Sequence, residues 1–165
     1  LINKILTIKE IINYTIKGMS GMMSLSLLIM LAFAIGNLCN ELGTGIYVSN
    51  SLKDILSPEL VPFLLFITSC FISFSTGTSW GTFAIMIAIA VPISNEMGIN
   101  SSLAVAASLG GGLFGDHCSP ISDTSVISSM ASASDHIDHV KTQLPYALIS
   151  GLITAILYLI IGFSY

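Results

Sequence analysis

Hydrophobic residues in this chain are gathered into long runs, not spaced to bury one face of a helix or strand. No Asp, Glu, Lys or Arg occurs at 18–40, 60–95, 97–115 or 142–165. A helix needs about 20 mostly apolar residues to cross the roughly 30 Å hydrocarbon core of a bilayer, so the runs predict membrane-embedded helices. The first predicts an ordinary span over about 19–39, stopped by 40–43 (NELG). The last predicts another over about 144–163, with Pro145 in its first turn. The stretch 41–59, with Glu41, Lys53, Asp54 and Glu59, reads as a loop, and so does 134–141, with its two Asp, two His and one Lys.

The run 60–95 is too long for one crossing, and its middle is polar: 75–82 reads STGTSWGT. The apolar arms on either side are about 13 residues, roughly 20 Å of helix, which reaches into a bilayer without crossing it. Non-helical backbone at that depth survives only where protein or a water-filled cavity satisfies its polar groups. The segment therefore predicts a re-entrant hairpin or a broken helix. A second segment repeats the design. A helix begins at Ser101, 110–122 interrupts it, and it resumes over 124–133. Asp116 and Asp123 stand at this interruption, and each would cost about 2.5–3.5 kcal/mol if left unpaired at the centre of a bilayer.

Composition agrees. The chain is 53% hydrophobic and 8% charged, about a third of the charged fraction of a soluble domain. The net charge is −4 and there is no Arg, which excludes nucleic-acid binding. The fold class is an all-α integral membrane protein in contact with the lipid bilayer. Residues 1–17, with Lys4, Lys9, Glu10 and Lys17 among isoleucines three or four apart, read as an interfacial helix or linker and not as a signal peptide. Residues 18–165 form the membrane domain. Lysines before the first span place that end in the cytoplasm. A hairpin returning to the outer side then makes 134–142 cytoplasmic. The start at Leu1 leads us to expect a piece of a longer reading frame.

Two hydroxyl- and glycine-rich breaks, one holding carboxylates, are what an intramembrane ion site requires, because half-helix ends supply dipoles and unwound carbonyls coordinate a desolvated cation. The oxygen donors are Asp116, Ser119, Ser122, Asp123 and Thr124 in one break and Thr76, Thr78, Ser79 and Thr82 in the other. Hard cations take such oxygens. Gly77, Gly81, Gly111, Gly112 and Gly115 would permit unwound backbone, and Pro120 would end a helix. The competing reading makes both stretches extramembrane loops. His117 and Cys118 beside Asp116 hint at a transition metal, but adjacent residues rarely aim at one point. His136 and His139 read as a pH sensor or as part of a solvated loop. Trp80 is a belt anchor or a lining of the break. The glycines at 110–115 match G-x-G-x-x-G without the strand that a dinucleotide site needs. An intramembrane aspartyl protease would draw its two Asp from two helices, not from one segment.

The strings 76–82 (TGTSWGT), 111–124 (GGLFGDHCSPISDT) and 138–147 (DHVKTQLPYA) resemble the C-terminal half of the NhaC-type sodium/proton antiporters, over most of 20–165. The resemblance implies one half of an inverted-repeat secondary transporter, multi-pass in a bacterial inner membrane, not an enzyme. It carries Asp116, His117, Ser119, Ser122, Asp123 and Thr124 over from the second break, and Thr76, Gly77, Thr78, Ser79 and Gly81 from the first. The implied activity is exchange of Na+ for H+ at a site near the midplane, with no cofactor beyond those transported ions. Exchange of an organic or amino acid, of the malate/lactate type, is the alternative. A chain of this length is expected to need the N-terminal half or a homo-oligomer as partner, or to be a fragment that does not transport.

Overall fold

In the computed structural model the described residues are 7–52 and 57–164, with some side chains between 21 and 52 set aside. Residues 1–6 of the expected N-terminal segment, and Lys53 and Asp54 of the expected loop, lie outside them. Every described element is helical: α1 (Ile8–Glu41), α2 (Thr44–Leu52), a 3-10 turn (Pro58–Leu60), α3 (Val61–Thr76), α4 (Ser79–Met97), α5 (Ser101–Cys118), α6 (Asp123–Ala131) and α7 (His136–Ser164). Among the described residues, three helical segments are long and apolar enough to cross a membrane: Pro58–Thr76, Ser79–Met97 and His136–Ser164.

Several boundaries differ from the sequence-based expectation, each for a physical reason. Helix α1 runs through residue 17 without a break, starting from a capping box in which the Thr7 amide and hydroxyl donate to Glu10 Oε2 at 2.8 and 2.6 Å. The hairpin arms have 19 residues each, not 13. The polar residues 75–76 and 79–82 are helical, because hydroxyls tucked onto the preceding turn satisfy themselves in apolar surroundings. Ser75 donates to the Phe71 carbonyl, Thr76 to Ile72 and Thr82 to Thr78, at 2.7–2.9 Å. The eight-residue break therefore shrinks to Gly77 and Thr78.

In the second segment α5 passes straight through the glycine run, and the break is 119–122. The expected loop 134–141 is mostly the first turns of α7, so Pro145 lies inside that helix. Residues 41–59 hold α2.

The register follows from the contacts. Gly111 lies against Phe66 and Ser69, Gly115 against Cys70 and Ser73, and Ser119 bonds the Phe74 carbonyl, so α5 runs parallel to α3. Ser79 faces Asp116, Gly112 faces Phe83, and Ser94 bonds Ser101, so α4 is antiparallel to both. Helix α7 returns antiparallel to α5, with His136 at Pro120, Gly151 at Phe114, and Gly162 at Glu59 beside the start of α3. A Cβ on Gly111 or Gly115 would collide with the Phe66 or Cys70 carbonyl. These glycines therefore serve close helix contact, not unwinding. The core between α3, α4 and α5 holds Leu65, Phe66, Met86, Ala90, Ile93, Ala104 and Ala107. Leu148, Ile149, Leu152 and Ile153 on α7 are exposed, as a lipid-facing helix requires.

Candidate functional site

Four helix ends converge at the tip of the α3–α4 hairpin: the C-termini of α3 and α5 and the N-termini of α4 and α6. Gly77 caps α3 in the left-handed region, φ +68°. A Cβ there would stand 2.6 Å from the Ile121 carbonyl oxygen, and the Gly77 carbonyl accepts the Asp123 amide at 3.3 Å. The two breaks are thus pressed backbone to backbone. Helix α5 stops at Cys118 because Ser119 precedes Pro120 and takes the extended backbone (φ −82°, ψ 128°) that proline imposes on its predecessor. The Ser119 hydroxyl then ties the break to α3 by donating to the Phe74 carbonyl at 2.8 Å.

Asp116, 1% exposed, is the centre of this tip. Its Oδ1 accepts from the Ser122 hydroxyl and its Oδ2 from the Thr124 hydroxyl, both at 2.8 Å, and the Ser79 hydroxyl stands 3.5 Å from Oδ2. Ser122 and Thr124 are 2.9 Å apart. Ser122 also caps α6, accepting the Ser125 amide at 3.3 Å. The partners of Asp116 among the described residues are hydroxyls, and no Lys or Arg is one of them. A buried ionised carboxylate without a counter-charge is costly, so this arrangement is suited to a carboxylate holding either a proton or a small cation. No group of three His, Cys, Asp or Glu gathers among the described residues. The donors are hydroxyls, carbonyls and one carboxylate, the set for a hard ion.

The other sequence-derived candidates divide. Ser79, Ser122 and Thr124 join Asp116. Thr78 is half-buried and its carbonyl accepts from Thr82 at 2.9 Å and from Ser73 at 3.3 Å. Thr76 turns back onto its own helix, and Gly81 is an ordinary residue of α4. Asp123 is exposed at the start of α6, so the two carboxylates are not brought together. His117 points to the other side of α5, where it lines an open groove of about 390 Å³ with Gln143, Tyr146 and Ser150. Trp80 is half exposed and packs edge-on against Phe83, ring centroids 5.9 Å apart. Pro120 is exposed, and its carbonyl meets His136.

Two residues tie this tip together through contacts that the sequence reading did not anticipate. Ser73 donates to the Gly112 carbonyl at 2.6 Å and pins α3 to α5 one turn from Asp116. In the sequence it passes for a small packing residue. His136 is the other.

The level of the site along α7 follows from the register. With Phe114 on Gly151 and His117 beside Gln143 and Ala147, Asp116 is level with about residue 148 of α7. Lys141 is the last charged residue of that helix. At 1.5 Å per residue the separation is about 10 Å along the axis.

The profile of the Na+/H+ antiporter family matches residues 1–163. The chain is 35% identical over 166 residues, all of its length, to an uncharacterized protein of Haemophilus influenzae, of which it covers 32%. It is 35% identical over 68% of its length to a malate-2H+/Na+-lactate antiporter of Bacillus subtilis, and 33% identical over 67% to the Na+/H+ antiporter NhaC of Alkalihalophilus pseudofirmus, covering 24% of each. The chain thus spans a third or less of these relatives. No solved structure matches it.

Proposed function

The chain belongs to the Na+/H+ antiporter family, a family of membrane transporters and not of enzymes, and from that premise we propose that it forms the ion-binding part of a secondary transporter that exchanges Na+ for H+ at Asp116. The observation that carries the proposal is the buried carboxylate of Asp116, with hydroxyls on both oxygens and no basic partner among the described residues. When Asp116 is ionised, Na+ supplies the missing counter-charge, and the Ser79, Ser122 and Thr124 oxygens stand in for its water. A proton on Asp116 removes the charge and with it the cation. Only one of the two ions is held at a time, and that competition couples the opposed fluxes. The N-termini of α4 and α6 favour the ionised carboxylate, and the C-terminal carbonyls of α3 and α5 favour the cation. Ser119 and Thr78 lie in the same two breaks, and Thr76 and Asp123 border them. Asp123, exposed one residue beyond Ser122, stands at the approach to the site.

The remaining helices of such a transporter, or further copies, are its partners in this reading, and the bacterial inner membrane is its location. Lipid and those helices cover the exposed apolar face of α7. The test is proton flux into proteoliposomes of the whole protein, read by an internal pH dye after addition of Na+ or K+. A Na+-specific response that Asp116→Asn abolishes supports exchange at this carboxylate. Wild-type exchange in Asp116→Asn refutes it.

A second reading, organic-anion exchange coupled to these ions, is favoured by the malate/lactate relative and by the groove at His117, Gln143, Tyr146 and Ser150. Those side chains carry groups able to donate hydrogen bonds to a carboxylate, and no acidic residue lines the groove among the described residues. Malate-dependent flux lost in His117→Ala would select it.

A further inference from the structure

His136 lies twenty residues beyond Asp116, at the first turn of α7, yet it reaches the break that carries Ser122. Its Nε2 is 2.6 Å from the Pro120 carbonyl oxygen and its Nδ1 is 3.2 Å from the Ser129 hydroxyl. A carbonyl only accepts, so Nε2 carries the hydrogen, while the Ser129 hydroxyl beside Nδ1 has the Val126 carbonyl as its nearer acceptor at 2.8 Å. Ser129 is 1% exposed on α6. One imidazole thus joins three elements: the 119–122 break, α6 and α7. From the opposite side, that break is held by Ser119 on the Phe74 carbonyl and by Ile121 on Gly77. With Pro120 removing one amide, the Pro120 carbonyl is the one backbone group of the break tied to α7, and Ser122 follows it by two residues.

We infer that His136 is a positioning residue: by donating to the Pro120 carbonyl it holds the 119–122 segment against the hairpin tip and so keeps the Ser122 hydroxyl on Asp116. The functional part of this inference rests on the proposed exchange at Asp116, whereas the positioning part stands on geometry alone. The two ring nitrogens can be replaced separately. Gln puts an amide donor near the place of Nε2, within reach of Pro120. Asn puts its amide near Nδ1 and leaves Pro120 without a donor.

The test compares His136→Gln, His136→Asn and His136→Ala in the whole protein in lipid nanodiscs and proteoliposomes. Amide hydrogen exchange reports on 119–123, where the Ser119, Ile121, Ser122 and Asp123 amides are bonded to Asp116, Ser119, Ser119 and Gly77. Exchange should quicken by about three- to tenfold in the Ala and Asn variants, the effect of one lost hydrogen bond, and stay near wild type in Gln. The KM for Na+ should rise by a similar factor in Ala and Asn, with the maximal rate kept, and Gln should restore it. Unchanged protection in Ala overturns the positioning role. Equal damage in Ala and Gln overturns the Pro120 bond as its cause. Altered protection with an unaltered KM overturns the link to the ion. Asp116→Asn, assayed alongside, reports separately on the exchange itself, since its failure to abolish Na+ flux leaves the protection result as the measure of the His136 tether.

Discussion

Replacing Gly77 by Ala separates two costs that glycines usually combine. Gly77 and Gly98 cap α3 and α4 with nearly the same backbone, φ +68° and +69°. An L side chain in that region costs about 1–2 kcal/mol. Around Gly98 nothing lies within 4 Å of an added Cβ, so Gly98→Ala should cost that and no more. At Gly77 the Cβ would stand 2.6 Å from the Ile121 carbonyl oxygen and 2.9 Å from its carbon, where ordinary contact begins at 3.4 Å. The hairpin tip and the second break must part by about 0.8 Å, and overpacking of that kind adds about 1–3 kcal/mol. The gap between the two variants should show as a thermal midpoint about 2–12 °C lower for Gly77→Ala than for Gly98→Ala, at about 2–4 °C per kcal/mol. Measured in nanodiscs by tryptophan fluorescence, with Trp80 three residues from the tip, the same movement should loosen Ser122 and Thr124 from Asp116 and raise the KM for Na+ in Gly77→Ala alone. Equal midpoints and equal KM values for the two variants would refute the claim that the breaks are pressed together.

Ser122→Ala should weaken Na+ binding about tenfold or more, since a hydrogen bond to a charged group contributes about 1.5–3 kcal/mol. Its control is Ser119→Ala, which removes the tie to the Phe74 carbonyl without touching Asp116 and should lower the midpoint with a smaller change in KM. Gly115→Ala should destabilise by about 1–3 kcal/mol by forcing α5 off the Cys70 carbonyl, read as a lower midpoint than that of Gly110→Ala. Asn100→Ala should cost about 1 kcal/mol in the same assay by removing the cap that accepts the Ser102 and Leu103 amides. Glu10 is held below the usual carboxylate range by the Thr7 hydroxyl and then the Thr7 amide. A lowered folded value gives support present above the unfolded value and lost as pH falls through the folded one. Acidification should therefore fray the first turn of α1, seen as faster amide exchange at 8–11, and Thr7→Ala should fray it at neutral pH.

The membrane class, the hairpin and the position of Asp116 at a helix break were legible because charge is so scarce that each exception stands out. The width of the breaks was not, since Ser75, Thr76 and Thr82 look like loop residues and are helical through bonds to their own carbonyls. Nor did the glycines at 111 and 115 announce whether they would unwind the helix or let another helix approach. The two Asp residues seven apart looked equivalent, but the extended backbone at Ser119 and Ser122 turns one inward and leaves the other exposed. The bond from His136 joins positions sixteen apart, and no local pattern marks it.

The level of Asp116 along α7, nearer its Lys141 end, has an electrical consequence. Moving one elementary charge across a membrane costs or yields about 2.3 kcal/mol per 100 mV. In the proposed exchange, an ion arriving from the Lys141 end travels about 10 Å of helix and so meets about 0.8 kcal/mol per 100 mV of a field falling over about 30 Å, while one arriving from the Glu59 end meets about 1.5 kcal/mol. Membrane voltage therefore weighs unequally on loading from the two sides, favouring a carboxylate that fills with little regard to potential from one compartment and empties with strong regard to it into the other.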